Sequence, residues 1–231
     1  MSRLIIIGID GATWKVIKPN LDSLPTFKWL LENYKHGTLY CNVFPHSAIV
    51  WTSIFTGAPP EEHGIMDFQI GGIFFSRKDL KVEPVWETLS KRGFKALALN
   101  IPMFIPPVSY NCKLEKWLPV SLSVTREEMI ESIKILTKKS NDILENSKFD
   151  FFAVVFPSLD RASHLYWGSP LLLELYKEMD NSLKQLCKLL IKNKFLIISD
   201  HGFSSISDPK TIVYKIDGRK GDHTREGIVI T

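Results

Sequence analysis

The sequence predicts an α/β domain with a mostly parallel central sheet. Short runs rich in β-branched and aromatic residues alternate with longer stretches of helical periodicity, the pattern of strands joined by crossover helices. Three of the apolar runs also lead into an aspartate, and in open α/β sheets functional groups collect at the carboxyl ends of strands. The strands are expected at 4–9, 38–41, 95–99, 151–156, 194–198 and 212–215, followed by a terminal strand at 228–231. Helix starts are marked by Ser23 ahead of Pro25, by Thr125 with Glu128 three residues on, and by Ser169 before Pro170. In 171–191 apolar residues recur at helical spacing, so Glu174, Lys177, Glu178, Lys184 and Lys188 read as its solvated face. The Pro-rich stretch 101–123 lacks periodicity and is expected as a small cap or lid loop.

With 231 residues, 45% of them hydrophobic, the chain can bury one substantial core, and a single domain over 1–231 is expected. Charged residues make up 23% and no tract is of low complexity, which excludes a disordered protein. The 29 Lys and Arg against 25 Asp and Glu leave a formal charge of +4 that is scattered along the chain, so nucleic-acid binding is not expected. Cys41, Cys112 and Cys187 lie far apart without a C-x-x-C spacing, which indicates neither a disulfide framework nor a thiolate zinc site and fits a reducing compartment. The run 4–9 is too short for a secretion signal, and no apolar stretch nears the roughly 20 residues of a membrane span. A cytoplasmic protein without a membrane partner is therefore expected; nothing in the sequence sets its oligomeric state.

The chemistry gathers at the strand ends. The run 4–9 leads into Asp10, the run 151–156 precedes Asp160, and the run 194–198 precedes Asp200. Three carboxylates at one rim repel one another in a partly dry cleft unless cations hold them. His164 follows Asp160 by four residues, which places both on one face of a helical turn, and His201 follows Asp200 directly. His223 stands in the turn-rich Gly221-Asp222-His223-Thr224. Mixed carboxylate and imidazole donors suit Zn²⁺, Mn²⁺ or Fe²⁺ and argue against a calcium cage. Singly each signal is weak, since an Asp after a strand is commonly a turn former and a lone His a surface residue. Their conjunction in four segments that the fold brings to one rim is what counts.

The segment 44–57 reads as a loop opening a helix, with Ser47 at the helix N-terminus, where free N–H groups and the dipole favour anions. Ser47 as a cap and Ser47 as a nucleophile are both open and are compatible. Thr52, Ser53 and Thr56 lie further along the helix and read as structural.

Taken in order, Gly8-Ile9-Asp10-Gly11, Pro45-His46-Ser47 running through Val50-Trp51-Thr52-Ser53 to Thr56-Gly57 and His63-Gly64-Ile65, Asp160 with His164, Ser199-Asp200-His201-Gly202, and His223 ahead of Glu226-Gly227-Ile228 form a specific pattern. Over nearly the whole chain it resembles the type I phosphodiesterase/nucleotide pyrophosphatase branch of the alkaline phosphatase superfamily. The resemblance implies an alkaline-phosphatase-like three-layer α/β/α sandwich. It implies two divalent metal ions, usually zinc: one held by Asp160, His164 and His223, the other by Asp10, Asp200, His201 and the Ser47 oxygen. His63 is implied to be structural. The implied reaction is hydrolysis of phosphodiester or nucleotide pyrophosphate bonds in a small substrate, through a phosphoseryl intermediate on Ser47.

The chain departs from this pattern in two places. Many relatives have Thr where Ser47 stands, a change that preserves the hydroxyl. Eukaryotic relatives place an Asn shortly after His-Gly-Ile to hold a phosphate oxygen, where this chain has Asp67-Phe68. Asn100, at the end of the run 95–99, is the substitute candidate, with a structural turn as the other reading. The rival functions are a phosphomonoesterase or phosphomutase, for which Arg161 and Arg219 are the available cations, and a noncatalytic metal-binding scaffold. A sulfatase would require a Cys/Ser-x-Pro-x-Arg stretch, which Ser47-Ala48-Ile49-Val50-Trp51 does not supply. Many relatives continue beyond the segment of His223, so a truncated form is also open.

Overall fold

The computed structural model describes residues 3–104, 114–115, 125–212 and 218–231. Its strands are β1 Leu4–Ile9, β2 His36–Tyr40, β3 Gln69–Ile70, β4 Ile73–Phe74, β5 Ala96–Leu99, β6 Leu114–Glu115, β7 Phe151–Phe156, β8 Lys194–Ile198, β9 Gly202–Ser205, β10 Gly221–Thr224 and β11 Glu226–Ile230. Its α-helices are α1 Trp14–Ile17, α2 Pro25–Asn33, α3 Ser47–Thr56, α4 Pro60–His63, α5 Val85–Lys91, α6 Arg126–Asn146, α7 Ser158–Tyr166 and α8 Pro170–Leu190.

Seven strands form one sheet in the order β2-β11-β8-β1-β7-β5-β6. Only β11 runs against the others, being antiparallel to both β2 and β8 while the remaining pairs are parallel. Central parallel strands are covered on both faces and should read as continuous apolar runs, and all six residues of β7 are buried. The two-residue period sorts them into two cores. Ile5, Ile7 and Ile9 with Phe152, Val154 and Phe156 pack into a core that includes Phe27 of α2, Met129 and Ile133 of α6 and Leu175 and Met179 of α8. Ala153 and Val155, with Ala96 and Ala98, pack with Trp51 and Phe55 of α3 and Trp86 of α5. Helices on both faces of the sheet make the three-layer sandwich that the sequence implied.

The predicted strands appear within a residue or two of their expected limits, except the one at 212–215. There Ile212 makes an isolated bridge to His223, and the rest lies outside the described residues. Two helix starts follow the sequence reading. Thr125 and Glu128 form a reciprocal capping box, and the Ser169 hydroxyl accepts from Leu171 N at 3.3 Å, with Pro170 in the first turn. The third does not: Leu24, not Ser23, takes the cap position of α2 and makes no side-chain bond. Asp180 of α8 caps that helix from across the core instead, its Oδ2 accepting from Thr26 N at 3.1 Å and its Oδ1 from Phe27 N at 2.8 Å. Pro25 has no N–H, so these two donors were the ones left to answer. On α8, Glu174, Lys177, Lys184 and Lys188 are exposed and Glu178 is half-buried, as its periodicity requires.

Most of the expected cap, 101–123, lies outside the described residues. Its described beginning belongs to the second core, with Ile101 and Phe104 fully buried. The Gly221–Thr224 segment is not a turn but the strand β10, because it finds an antiparallel partner in β9.

Candidate active site

Three strands deliver the acidic residues. Asp10 follows β1, and its N–H donates to Phe156 O at the end of β7 (2.9 Å), so neighbouring strands end at one level. Asp200 follows β8, and Asp160 lies in α7, the helix that β7 opens. Gly11, at φ +68°, turns the chain back so that its N–H donates to Asp200 Oδ1 at 3.3 Å. A side chain there would meet Phe203 at 2.7 Å and the Asp160 backbone at 2.9 Å.

The predicted residues converge, with one exception. In one group, His223 Nε2 lies 3.2 Å from Asp160 Oδ1 and 3.1 Å from His164 Nε2, and His164 Nε2 lies 3.6 Å from Asp160 Oδ1. In the other, His201 Nε2 lies 3.2 Å from Asp200 Oδ2 and 3.6 Å from Asp10 Oδ1. Ser47 completes it: its Oγ donates to Asp10 Oδ1 at 3.1 Å and stands 3.2 Å from His201 Nε2. The two groups adjoin, since His201 Nε2 is also 3.9 Å from Asp160 Oδ1 and the rings of His201 and His223 stack 3.9 Å apart. Ser47 does not cap α3. His46 holds that position, which leaves the hydroxyl to the acidic cluster.

The imidazoles are aimed by what their other nitrogens do. His164 Nδ1 donates to Gly221 O at 3.1 Å, His201 Nδ1 to Gly202 O at 3.3 Å and His223 Nδ1 to Pro45 O at 2.6 Å. A carbonyl only accepts, so each neutral ring carries its proton on Nδ1 and turns the Nε2 lone pair into the cleft. Burial lowers the pKa of His164 and, with help from His201, that of His223, which keeps both rings neutral. The carboxylates are pushed the other way. Burial and then Asp200 and Asp160 raise Asp10, while burial and then Asp160 push Asp200 up to about 8. Asp160 is the exception: against the upward push of burial, His164, His223 and His201 hold its carboxyl well below the usual carboxylate range, so it is the charges of Asp10 and Asp200 that are unfavourable on their own.

These are the properties of a cation site. Asp200 Oδ2 is buried without a hydrogen-bond partner, and lone pairs of two imidazoles face each other at 3.1 Å. Tetrahedral zinc with bonds of roughly 2.0–2.1 Å separates its donors by about 3.3–3.4 Å, close to the spacings within both groups. The donors are therefore spaced as the ligands of divalent cations would be.

Other side chains support the cluster without having been legible as parts of it. Asp222 is fully buried, accepts from Arg219 Nη1 at 2.9 Å and lies 3.7 Å from His164 Nδ1, on the side of the ring away from the cleft. Neighbours on β10 face opposite ways, so Asp222 and His223 flank His164; the one sequence signal was adjacency to His223. Phe203 packs its ring edge-on against His164 and His223 at 4.7 and 4.9 Å, forming an apolar wall. Trp51 Nε1 donates to Asp10 Oδ2 at 3.1 Å.

The exception is Asn100. It adopts φ 54°, and its Nδ2 donates to Val155 O at 2.8 Å, tying the end of β5 to β7. The described contacts of Asn100 are those of a structural turn. At the position where relatives have Asn, Phe68 packs against His46 with ring centres 5.1 Å apart, and Asp67 Oδ1 lies 3.5 Å from His46 Nε2. His63 is structural, as expected: its Nδ1 accepts from Ile65 N at 3.1 Å and its Nε2 faces Ser53 Oγ at 3.0 Å. Thr52 and Thr56 donate to carbonyls one turn back in their own helix.

Among the described residues no helix is long and apolar enough to cross a membrane. Two kinds of solved structure share the fold. Murine ectonucleotide pyrophosphatase/phosphodiesterase 5, in an inactive form complexed with AMP, is 19% identical with a TM-score of 0.61, over 92% of this chain and 60% of that one. Phosphonoacetate hydrolase from Sinorhizobium meliloti 1021, complexed with phosphonoformate, is 15% identical with a TM-score of 0.64, over 92% of this chain and 58% of that one. The chain thus spans about 60% of the length of the solved chains it resembles. No curated protein matches it by sequence. The sequence pattern of one family does match, over residues 4–219, and on that extent the chain belongs to the type I phosphodiesterase / nucleotide pyrophosphatase family.

Proposed function

We propose that this protein hydrolyses phosphate esters, with phosphodiesters or nucleotide pyrophosphates as substrates, using Ser47 as nucleophile. The observation that carries the proposal is the placement of one alcohol, Ser47 Oγ, 3.1 Å from Asp10 Oδ1 and 3.2 Å from His201 Nε2, between carboxylate and imidazole donors. Two divalent cations bound there, zinc by donor chemistry with manganese or iron as alternatives, would lower the hydroxyl's pKa and offset the charge of the phosphate. Asp160, His164 and His223 would hold one; Asp10, Asp200 and His201 would hold the other beside Ser47.

Within that frame Ser47 Oγ attacks phosphorus in line with the leaving oxygen. A phosphoseryl ester forms, the bond to the leaving group breaks, and the hydroxyl proton ends on the departing oxygen. Water then attacks the phosphoseryl phosphorus, the Oγ–P bond breaks, and Ser47 recovers its proton. Ser47 is the first residue of α3, where the helix dipole suits the added negative charge. Arg219, one of the two cations available for a monoester dianion, is bound to Asp222, which favours the diester reading. Buried thiols at Cys41 and Cys187 accord with a reducing, cytoplasmic setting.

The test is a comparison of rates on a chromogenic phosphodiester, the matching monoester and a dinucleotide, with metal content measured on the same sample. Two ions per chain and faster diester or dinucleotide cleavage are expected. Faster monoester cleavage overturns the diester assignment, and two bound ions without turnover on any substrate would make the protein a scaffold.

A further inference from the structure

Trp51 is fully buried one turn into α3, yet its polar atom is not spent on the helix: Nε1 donates to Asp10 Oδ2 at 3.1 Å. The other carboxylate oxygen, Oδ1, is the one that faces Ser47 Oγ and His201 Nε2. A carboxylate is free to rotate about its last bond and can present one oxygen or both. Here the indole occupies one oxygen and thereby fixes which one points into the cleft.

The approach of the indole depends on a second residue. A Cβ at Gly8, the second-last residue of β1, would stand 2.6 Å from Trp51 Cη2 and 2.8 Å from Val155 Cγ2. Glycine weakens a strand interior and commonly marks close approach of another group. At Gly8 the approaching group is the far edge of the indole, whose ring also stacks on Phe55 at 5.9 Å.

We infer that Trp51, admitted by Gly8, is a positioning residue that holds Asp10 with a single oxygen, Oδ1, directed at the cation beside Ser47. This rests on the two-cation reading above. Groups that orient a metal's ligands by hydrogen bonding typically contribute 10–100-fold to metal affinity, and only the cation beside Ser47 should feel this one.

The test is metal titration of the 231-residue chain, by competition with a chromophoric chelator, with thermal melting in parallel. Replacing Trp51 with benzothienylalanine keeps the ring's shape and removes its N–H; Trp51→Phe removes the N–H with a smaller ring. Asp10→Asn marks which of two binding steps belongs to the Ser47 side. The expected result is that the benzothienyl protein melts near the parent and weakens that same step about 10–100-fold, leaving the other step unchanged, with Trp51→Phe shifting the same step. Binding of two ions with the parent's affinities in the benzothienyl protein overturns the inference about Trp51 alone. Equal weakening of both steps, in line with a lowered melting temperature, reduces Trp51 to a packing residue and also overturns it. A parent that binds fewer than two ions overturns the two-cation reading and this inference with it.

Discussion

Asp180 at the junction of α2 and α8 and Asp200 at the carboxyl end of β8 are both almost completely buried, with exposures of 2% and 1%. At the first, both oxygens accept backbone N–H groups from the start of α2, and the nearest described partners are donors. Burial still raises its pKa, but the bonds from Phe27 and Thr26 oppose the rise. At the second, Oδ1 accepts the Gly11 N–H and the backbone N–H groups of Asp200 and His201 also favour the charge, but Oδ2 has no hydrogen-bond partner and two further carboxylates share the cleft. Equal burial therefore serves opposite ends. The fold answers the charge of Asp180 from its own backbone, whereas on the proposed function that of Asp200 would be answered by a cation.

Four measurements can break or sharpen this contrast. The largest effect is expected from Ser47→Ala, which removes the attacking oxygen but none of the carboxylates or imidazoles. Turnover should drop by about 10³-fold or more, with metal content and melting temperature close to the parent's. Unchanged hydrolysis in that variant would remove Ser47 from the mechanism.

Next, stripping metal with a chelator should lower the melting temperature of the parent. Each ion held at about 100 times its Kd contributes roughly 2.7 kcal/mol. In the stripped protein Asp200→Asn should melt no lower than the parent, because it relieves repulsion with Asp10 and Asp160, while in metal it should lose most of the parent's stabilisation. A stripped Asp200→Asn protein that melts well below the stripped parent would show that the carboxylate is answered from within the fold, as Asp180 is.

Asp180→Ala should do the reverse. Losing the cap of α2 and leaving its buried N–H groups unanswered should cost about 1–3 kcal/mol by chemical denaturation, with kcat retained. Least of all is expected from Asp22, exposed at the surface and paired with Lys28 at 3.0 Å. Asp22→Ala should leave the melting temperature and turnover unchanged within error, completing a series in which the consequence follows how the charge is answered.

The candidate site was legible wherever chemistry coincided with a local signal. Asp10 and Asp200 end apolar runs that can only be buried strands, and Asp160 and His164 stand one helical turn apart, so strand ends and helix spacing were enough to group them. His223 was grouped with them as an imidazole donor in a fourth segment, though that segment was read as turn-rich because Gly-Asp-His-Thr carries turn residues and its pairing with β9 is not a local signal. Asn100 was offered for a phosphate oxygen from its position at a strand end, with a structural turn as the other reading. The structure shows its amide on Val155 O instead, a contact across 55 residues that no local pattern reports.

By itself, then, the sequence determined the α/β class, six strands of the central sheet, the amphipathic face of α8 and most of the polar residues of the cleft. All of these follow from periodicity, capping chemistry and the cost of burying charge, which act over a few residues. Only the tertiary structure decided that Asp180 and not Ser23 caps α2, that Asp222 stands behind His164, and that Trp51 holds Asp10 through a gap left by Gly8. These are pairings between residues distant in the chain, and they depend on which faces the packed sheet brings together.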